Sequence, residues 1–349
     1  MNAALWELAG PRLFVRRIGE ATLAGKSIVL LTRQSHAVPA LGQQLAGCLT
    51  RAEYPTSYVD PLSHEPIADL LAVIPGEIGP KTMRTVFERL ADRTLVVAPI
   101  ANQSGWFDFM SRFQHAARSY PAMDRPRIIM VREGSAPVSD DVAVEYHEWD
   151  LVVSSADIES LVQAWIPPKF ADSVLRQVLV RTIVEIGLSD VDLVHDLCVL
   201  SRREVASPIG FLEGWARING SHPDPIWIDG TVRDHVLKET TGDEFRRRVY
   251  HRLWKAQAKV LLPWVEEGRQ TFLPKLYNVL PEMDDYGVER SDFEIGPICF
   301  WLRTRNPTNP YFPLFERFRK IRNHLAHLRF FPLDELTSDI SFIEKYVPR

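Results

Sequence analysis

Near the end of the chain, three residues stand at a spacing that could move protons and hold phosphate: Arg322, Asn323 and His327. An imidazole titrates near neutrality and can serve as base or acid. A guanidinium is permanently cationic, and its fork of donors matches phosphate geometry. RNA carries its own nucleophile, the 2′-OH. Cutting it therefore needs only a base, an acid for the leaving 5′-oxygen and positive charge on the developing phosphorane, with no metal or other cofactor required. In such chemistry His327 would be the base or acid, Arg322 would neutralise the phosphorane, and Asn323 would orient the phosphate or the imidazole. Arg319, Lys320 and Arg329 could hold neighbouring phosphates, and Tyr311 or Phe312 could stack a base.

The spacing also says what must position these groups. Residues 315–328 read FERFRKIRNHLAHL, which suits a helix. At about 100° per residue, Leu314, Phe318, Ile321, Leu325 and Leu328 form one apolar stripe, with Asn323, His327, Glu316 and Lys320 on the other side. Arg322 and His327 diverge by about 140° on such a helix and do not readily converge on one atom. Two copies related by a twofold axis would bring the groups together around a shared cleft.

Charge is compatible with a polyanionic partner. The net charge is −4, but the acidic excess lies in the first half. Between Arg303 and Arg329 there are seven basic residues against one acid, Glu316. Such a stripe is the footprint that a phosphate-bearing partner needs, and it is equally the signature of a solvated helix face.

The Arg322-Asn323-x-x-x-His327 pattern late in a helical region resembles the HEPN ribonucleases, in which an Arg, commonly followed by Asn, precedes a His by four to six residues. The resemblance covers about residues 240–349. It implies a four- or five-helix bundle that forms homodimers and cleaves single-stranded RNA without a metal, with many relatives acting as toxins or as effectors of anti-phage defence. In one subgroup a tyrosine stands two residues beyond the histidine; here that residue is Arg329, so control through a modified tyrosine is not expected. The alternative is a nuclease-inactive HEPN adaptor used for dimerisation or for binding RNA or a protein. His324 and His327 could also pair on a metal, although no nearby Cys or third His completes a set.

The first half reads differently. Ser27–Thr32, Thr56–Val59, Thr94–Ala98, Arg127–Val131 and Asp150–Ser154 read as short strands, and Pro39–Arg51, Lys81–Ala91 and Gly105–Arg118 have helical spacing. A parallel sheet flanked by helices follows. Residues 19–27, GEATLAGKS, resemble a phosphate loop, but five residues instead of four separate Gly19 from Gly25, and Lys26 precedes the first strand. The true strand-to-helix loop, Arg33 to Val38, has neither glycine nor lysine. This half resembles a degenerate P-loop domain of the STAND type. It is expected to regulate or to bind a protein partner. Asp150 and Asp157 could be remnants of a ligand site, or helix caps.

Three regions are expected: an α/β domain over 1–166, a helical spacer or subdomain over 169–240, and the HEPN bundle over 241–349. Pro167-Pro168 marks the first junction, and Pro263 should kink or split the helical stretch Phe245–Leu280. Cys48, Cys198 and Cys299 are too far apart for a zinc framework and read as buried thiols. His36, His64, His115, His147, His195, His222, His235 and His251 read as surface or core residues, and Trp149, Trp165, Trp215, Trp227, Trp254 and Trp264 as core. No apolar run approaches the roughly 20 residues of a membrane span, and Glu7, Arg12, Arg16, Arg17 and Glu20 interrupt any secretory pattern. A cytoplasmic location is expected.

Overall fold

Runs of aliphatic residues without polar alternation suit strands covered on both faces. The computed structural model describes residues 3–32, 38–61, 65–74, 80–98, 104–134, 144–149, 152–166, 173–222, 225–284 and 286–346. In it, Ser27–Thr32 (β1), Thr56–Val59 (β2), Thr94–Val97 (β3), Arg127–Glu133 (β4) and Val144–Glu148 (β5) form one sheet, ordered β2-β3-β4-β1-β5. Every pairing in it is parallel. Strand β1 is central, with Ile28 opposite Ile129 on one side and Glu145 on the other.

Before β1 runs Ala9–Leu23 (α1), and the crossovers are Val38–Arg51 (α2), Pro66–Leu71 (α3), Met83–Leu90 (α4) and Ser104–Ala117 (α5). One face of the sheet, with Val29, Leu31, Leu95, Val97 and Met130, packs against Leu70, Leu71, Phe87, Leu90, Trp106, Phe109 and Phe113 of α3, α4 and α5. Helix α2 packs on β2, β3 and β4.

The fifth strand is not where the sequence placed it. Val144–Glu148 pairs with β1, whereas Val152, Val153 and Ser154 lead into the next helix, Ser155–Trp165 (α6). As an edge strand, β5 tolerates the polar residues that hid it. Asp157 explains the rest: its carboxylate accepts from the Ser154 N–H at 3.0 Å and hydroxyl at 2.7 Å, and from the Gly10 N–H at 3.0 Å. The Asp157 N–H in turn donates to Ser154 Oγ at 3.1 Å, a reciprocal helix cap. Asp150 lies outside the described residues.

The phosphate-loop resemblance dissolves in the same way. Gly19 lies within α1, where a Cβ would collide with the Tyr54 ring at 2.4 Å, and Lys26 pairs with Glu145. The loops after β1, β3 and β4 are where ligands meet such sheets. Residues 33–37, 99–103 and 135–143 of those loops, like Pro167-Pro168, lie outside the described residues.

Two compact units result: Met1–Ile158 with Trp227–Arg233, and Glu159–Ile226 with Asp234–Arg349. The second is helical: Val174–Gly187 (α7), Val191–Cys198 (α8), Arg202–Ala206 (α9), Ile209–Asn219 (α10), Gly242–Phe272 (α11), Ile295–Arg305 (α12), Phe312–Ala326 (α13) and Leu333–Ile343 (α14). A small hairpin, Ile226–Ile228 (β6) and Thr231–Arg233 (β7), turns at Asp229-Gly230, both at positive φ (52° and 69°). None of the described helices is long and apolar enough to cross a membrane.

Helix α11 runs for 31 residues through Pro263, so the stretch is not split there. Pro263 and Lys259, whose carbonyl loses its partner, are both exposed, so water can satisfy what the ring removes. The long rod packs against α7 and α13. On the α7 side, buried Glu185 receives Lys259 at 2.6 Å, Arg181 at 3.2 Å and Lys255 at 3.4 Å. On the α13 side, Gly268 lies so close to Phe318 that a Cβ would stand 2.4 Å from its ring.

Candidate active site

Helix α13 buries Leu314, Phe315, Phe318, Ile321 and Leu325, each at most 1% exposed. The stripe read from the sequence is thus the core face, except at its end. The helix stops at Ala326, and His327 is its cap, at φ −90° and ψ 19°. The Leu328 N–H donates to the Leu325 carbonyl at 3.0 Å, and the Arg329 N–H to the His324 carbonyl at 3.3 Å. This pair of bonds is a Schellman ending, and it puts Leu328 in the left-handed region, φ 57°. Leu328 is consequently 66% exposed instead of completing the stripe.

Two side chains of α11 hold this ending. The Trp254 indole N–H donates to the Leu325 carbonyl at 2.7 Å. Gln257, itself buried, donates to the Phe331 carbonyl at 3.0 Å and accepts from the Phe331 N–H at 2.6 Å. The His324 ring lies 4.1 Å from that of Phe331, with Nε2 3.0 Å from the Phe330 carbonyl. His324 is therefore spent locally, which argues against a metal pair with His327.

His327, Asn323 and Arg329 are exposed, and their side chains have no hydrogen-bond or ion-pair partner among the described residues. The other candidates are engaged. Arg322 bonds Glu294 at 2.7 Å and Arg319 bonds Glu316 at 3.1 Å. Lys320 meets Asp339 at 2.9 Å and Glu335 at 3.4 Å. The Asp339 hydrogen bond raises the Lys320 ammonium above its usual range. Arg317 also pairs with Asp339, so this carboxylate, fully buried on α14, is doubly compensated. Within one chain, then, the structure gathers His327, Asn323 and Arg329 at one exposed end, while Arg322 leans on the residue preceding α12.

Tyr311 and Phe312 sit at the opposite end of the 15-residue helix, about 20 Å away at 1.5 Å per residue. Tyr311 packs there against Phe272, ring centroids 5.8 Å apart. Phe330, three residues beyond His327, instead stacks on Tyr250, 43% exposed, with ring centroids 5.1 Å apart. The sequence offered only a faint signal for it: Tyr250, Trp254 and Gln257 recur at helical spacing on α11.

A second gathering was not anticipated. His222 and His235, read as isolated, come together with Asp190 in the helical unit, one ligand-capable atom from each lying within 4.8 Å of the others.

Compared with known proteins, the chain matches no family model, and no curated protein is significantly similar to it.

Proposed function

We propose that the chain is a metal-independent endoribonuclease of HEPN type that cuts single-stranded RNA by attack of the 2′-OH and acts as a toxin or anti-phage effector. The observation that carries this reading is His327, exposed and unengaged among the described residues at the end of α13, beside equally unengaged Asn323 and Arg329. In this reading His327 exchanges protons with the 2′-OH or the leaving 5′-oxygen, and the guanidiniums of Arg322 and Arg329 receive the phosphate. The bonds from Trp254, Leu328 and Arg329 to the last carbonyls blunt the negative end of the helix, which would otherwise repel phosphate. A base would stack on Tyr250 in place of Tyr311.

One catalytic set needs two chains. Arg322 is held toward Glu294, so a homodimer that apposes the two α13 ends would bring one chain's Arg322 toward the other's His327. Single-stranded RNA and a second copy are thus the proposed partners, with the α/β domain receiving a regulatory protein.

The test uses labelled single-stranded RNA in magnesium-free buffer. Products ending in 2′,3′-cyclic phosphate, and no cleavage of a fully 2′-O-methylated substrate, support the reading. Cleavage of the methylated strand would refute it. The Arg322–Glu294 pair favours one competing reading, an adaptor that binds RNA without cutting it. That reading gives salt-sensitive binding and intact RNA.

A further inference from the structure

Asp190, His222 and His235 come from three separate stretches of the helical unit. Asp190 precedes α8, His222 follows α10, and His235 lies just beyond the β6–β7 hairpin. His222 and His235 thus stand at the two ends of the segment 223–234. A backbone bond from the His222 N–H to the Leu237 carbonyl, 3.0 Å, already draws those ends together.

The polar groups in this cluster are poorly served without a further partner. His235 is 1% exposed and Asp190 14%. The imidazole centroids are 4.5 Å apart, and the Trp215 ring covers His222 at 5.5 Å. The Nε2 atoms of both histidines are sealed from solvent, and neither has a hydrogen-bond partner among the described residues. His235 Nε2 comes within 3.2 Å of Asp190 Oδ2, close enough for the carboxylate to attract a proton or a cation there, without a hydrogen bond of good geometry. Asp190 divides its oxygens: Oδ1 caps α8 by accepting the Leu193 N–H at 3.0 Å, which leaves Oδ2 turned to the imidazoles. One ligand-capable atom from each of the three residues lies within 4.8 Å of the others, a spacing that a cation can bridge.

We propose that Asp190, His222 and His235 bind one divalent transition-metal ion such as zinc, which a two-imidazole, one-carboxylate set accommodates. Bonds of about 2 Å place tetrahedral donors about 3.3 Å apart, so from spacings of up to 4.8 Å the three atoms must close by as much as about 1.5 Å, with water completing the shell. One local bond opposes this. The Leu237 N–H donates to His235 Nδ1 at 3.1 Å, so without an ion the ring proton sits on Nε2. Coordination moves that proton to Nδ1 and gives up the Leu237 contact. A single neutral hydrogen bond is minor beside a structural zinc site. The burial of His235 and the partial burial of Asp190 keep this ion apart from the chemistry assigned to exposed His327.

The experiment reads metal, not cleavage, so it stands or falls independently of the ribonuclease reading. The full chain, stripped by a chelator and dialysed, is titrated with zinc chloride against a chromophoric competitor, then with cobalt chloride. The expected result is one equivalent bound with a sub-micromolar dissociation constant, and visible cobalt bands of a four-coordinate site. His222→Gln and Asp190→Asn, the latter retaining the oxygen that caps α8, weaken binding by at least about 100-fold with wild-type circular dichroism. His195→Gln, at an exposed histidine of α8, leaves it unchanged. Failure of the wild type to bind a stoichiometric ion, or equal binding by wild type and folded Asp190→Asn, would overturn the proposal.

Discussion

Arg322 and Glu294 form an exposed ion pair at 2.7 Å, which holds the guanidinium toward the start of α12. If Arg322 serves the phosphate, this pair competes with substrate. Exposed pairs are worth about 0.2–1 kcal/mol. Glu294→Gln should therefore raise kcat/KM for RNA cleavage by up to about five-fold. A decrease in steady-state rates would show that the pair positions Arg322 for its work.

Leu328 occupies a left-handed conformation at φ 57° while 66% exposed. A bulky residue there is strained and gains little from packing. Leu328→Gly should raise stability by about 0.5–1 kcal/mol, because relief of strain outweighs the extra freedom that glycine has when unfolded. Urea unfolding checks this; a loss of stability would mean that Leu328 makes contacts beyond the helix end.

Gln257 satisfies both backbone groups of Phe331 from a buried position. Gln257→Leu leaves both unpaired and should cost about 2–4 kcal/mol, measured by the same unfolding. Trp254→Phe keeps an aromatic ring but loses the bond to the Leu325 carbonyl and part of the indole's bulk. It should cost about 1 kcal/mol while loosening the residue that caps α13.

Acid should weaken the α7–α11 contact through Glu185. Burial pushes this carboxyl up, but the Lys259 hydrogen bond and the charges of Lys255, Lys259 and Arg181 outweigh it and hold it below 4.5. A group depressed in the folded state lends stability above its unfolded value, and this is lost as pH falls through the folded one. Stability should therefore decline below about pH 4.5, and Glu185→Gln should flatten that acid limb while lowering stability at pH 7. An unchanged acid limb in the variant would remove Glu185 as its source.

Much of this architecture was legible because its signals are local. The aliphatic run at Ser27–Thr32 and the β-favouring run at Thr56–Val59 are strands at the boundaries read from the sequence, and the apolar stripe of α13 up to Leu325 is its buried face. The misreadings share a physical cause: tertiary context overrode local preference. An edge strand carrying Glu145, His147 and Glu148 lacks the apolar run of a central one. Pro263 was read as a kink or split, yet its helix continues where water can replace the lost bond. His327 has helical spacing, yet a Schellman ending stops the helix one residue earlier. The pairing of Lys320 with Asp339, and the meeting of His222 with His235, depend on chain segments far apart in sequence, which no periodicity encodes.

The proposed roles of His327 and Arg322 are tested by the single-turnover cleavage rate of one labelled single-stranded RNA with the wild type, His327→Ala and Arg322→Ala, each folded by circular dichroism and in magnesium-free buffer. Cleavage by the wild type and a fall of at least about 100-fold in each variant are expected. Cleavage that persists at the wild-type rate in both variants would contradict those roles.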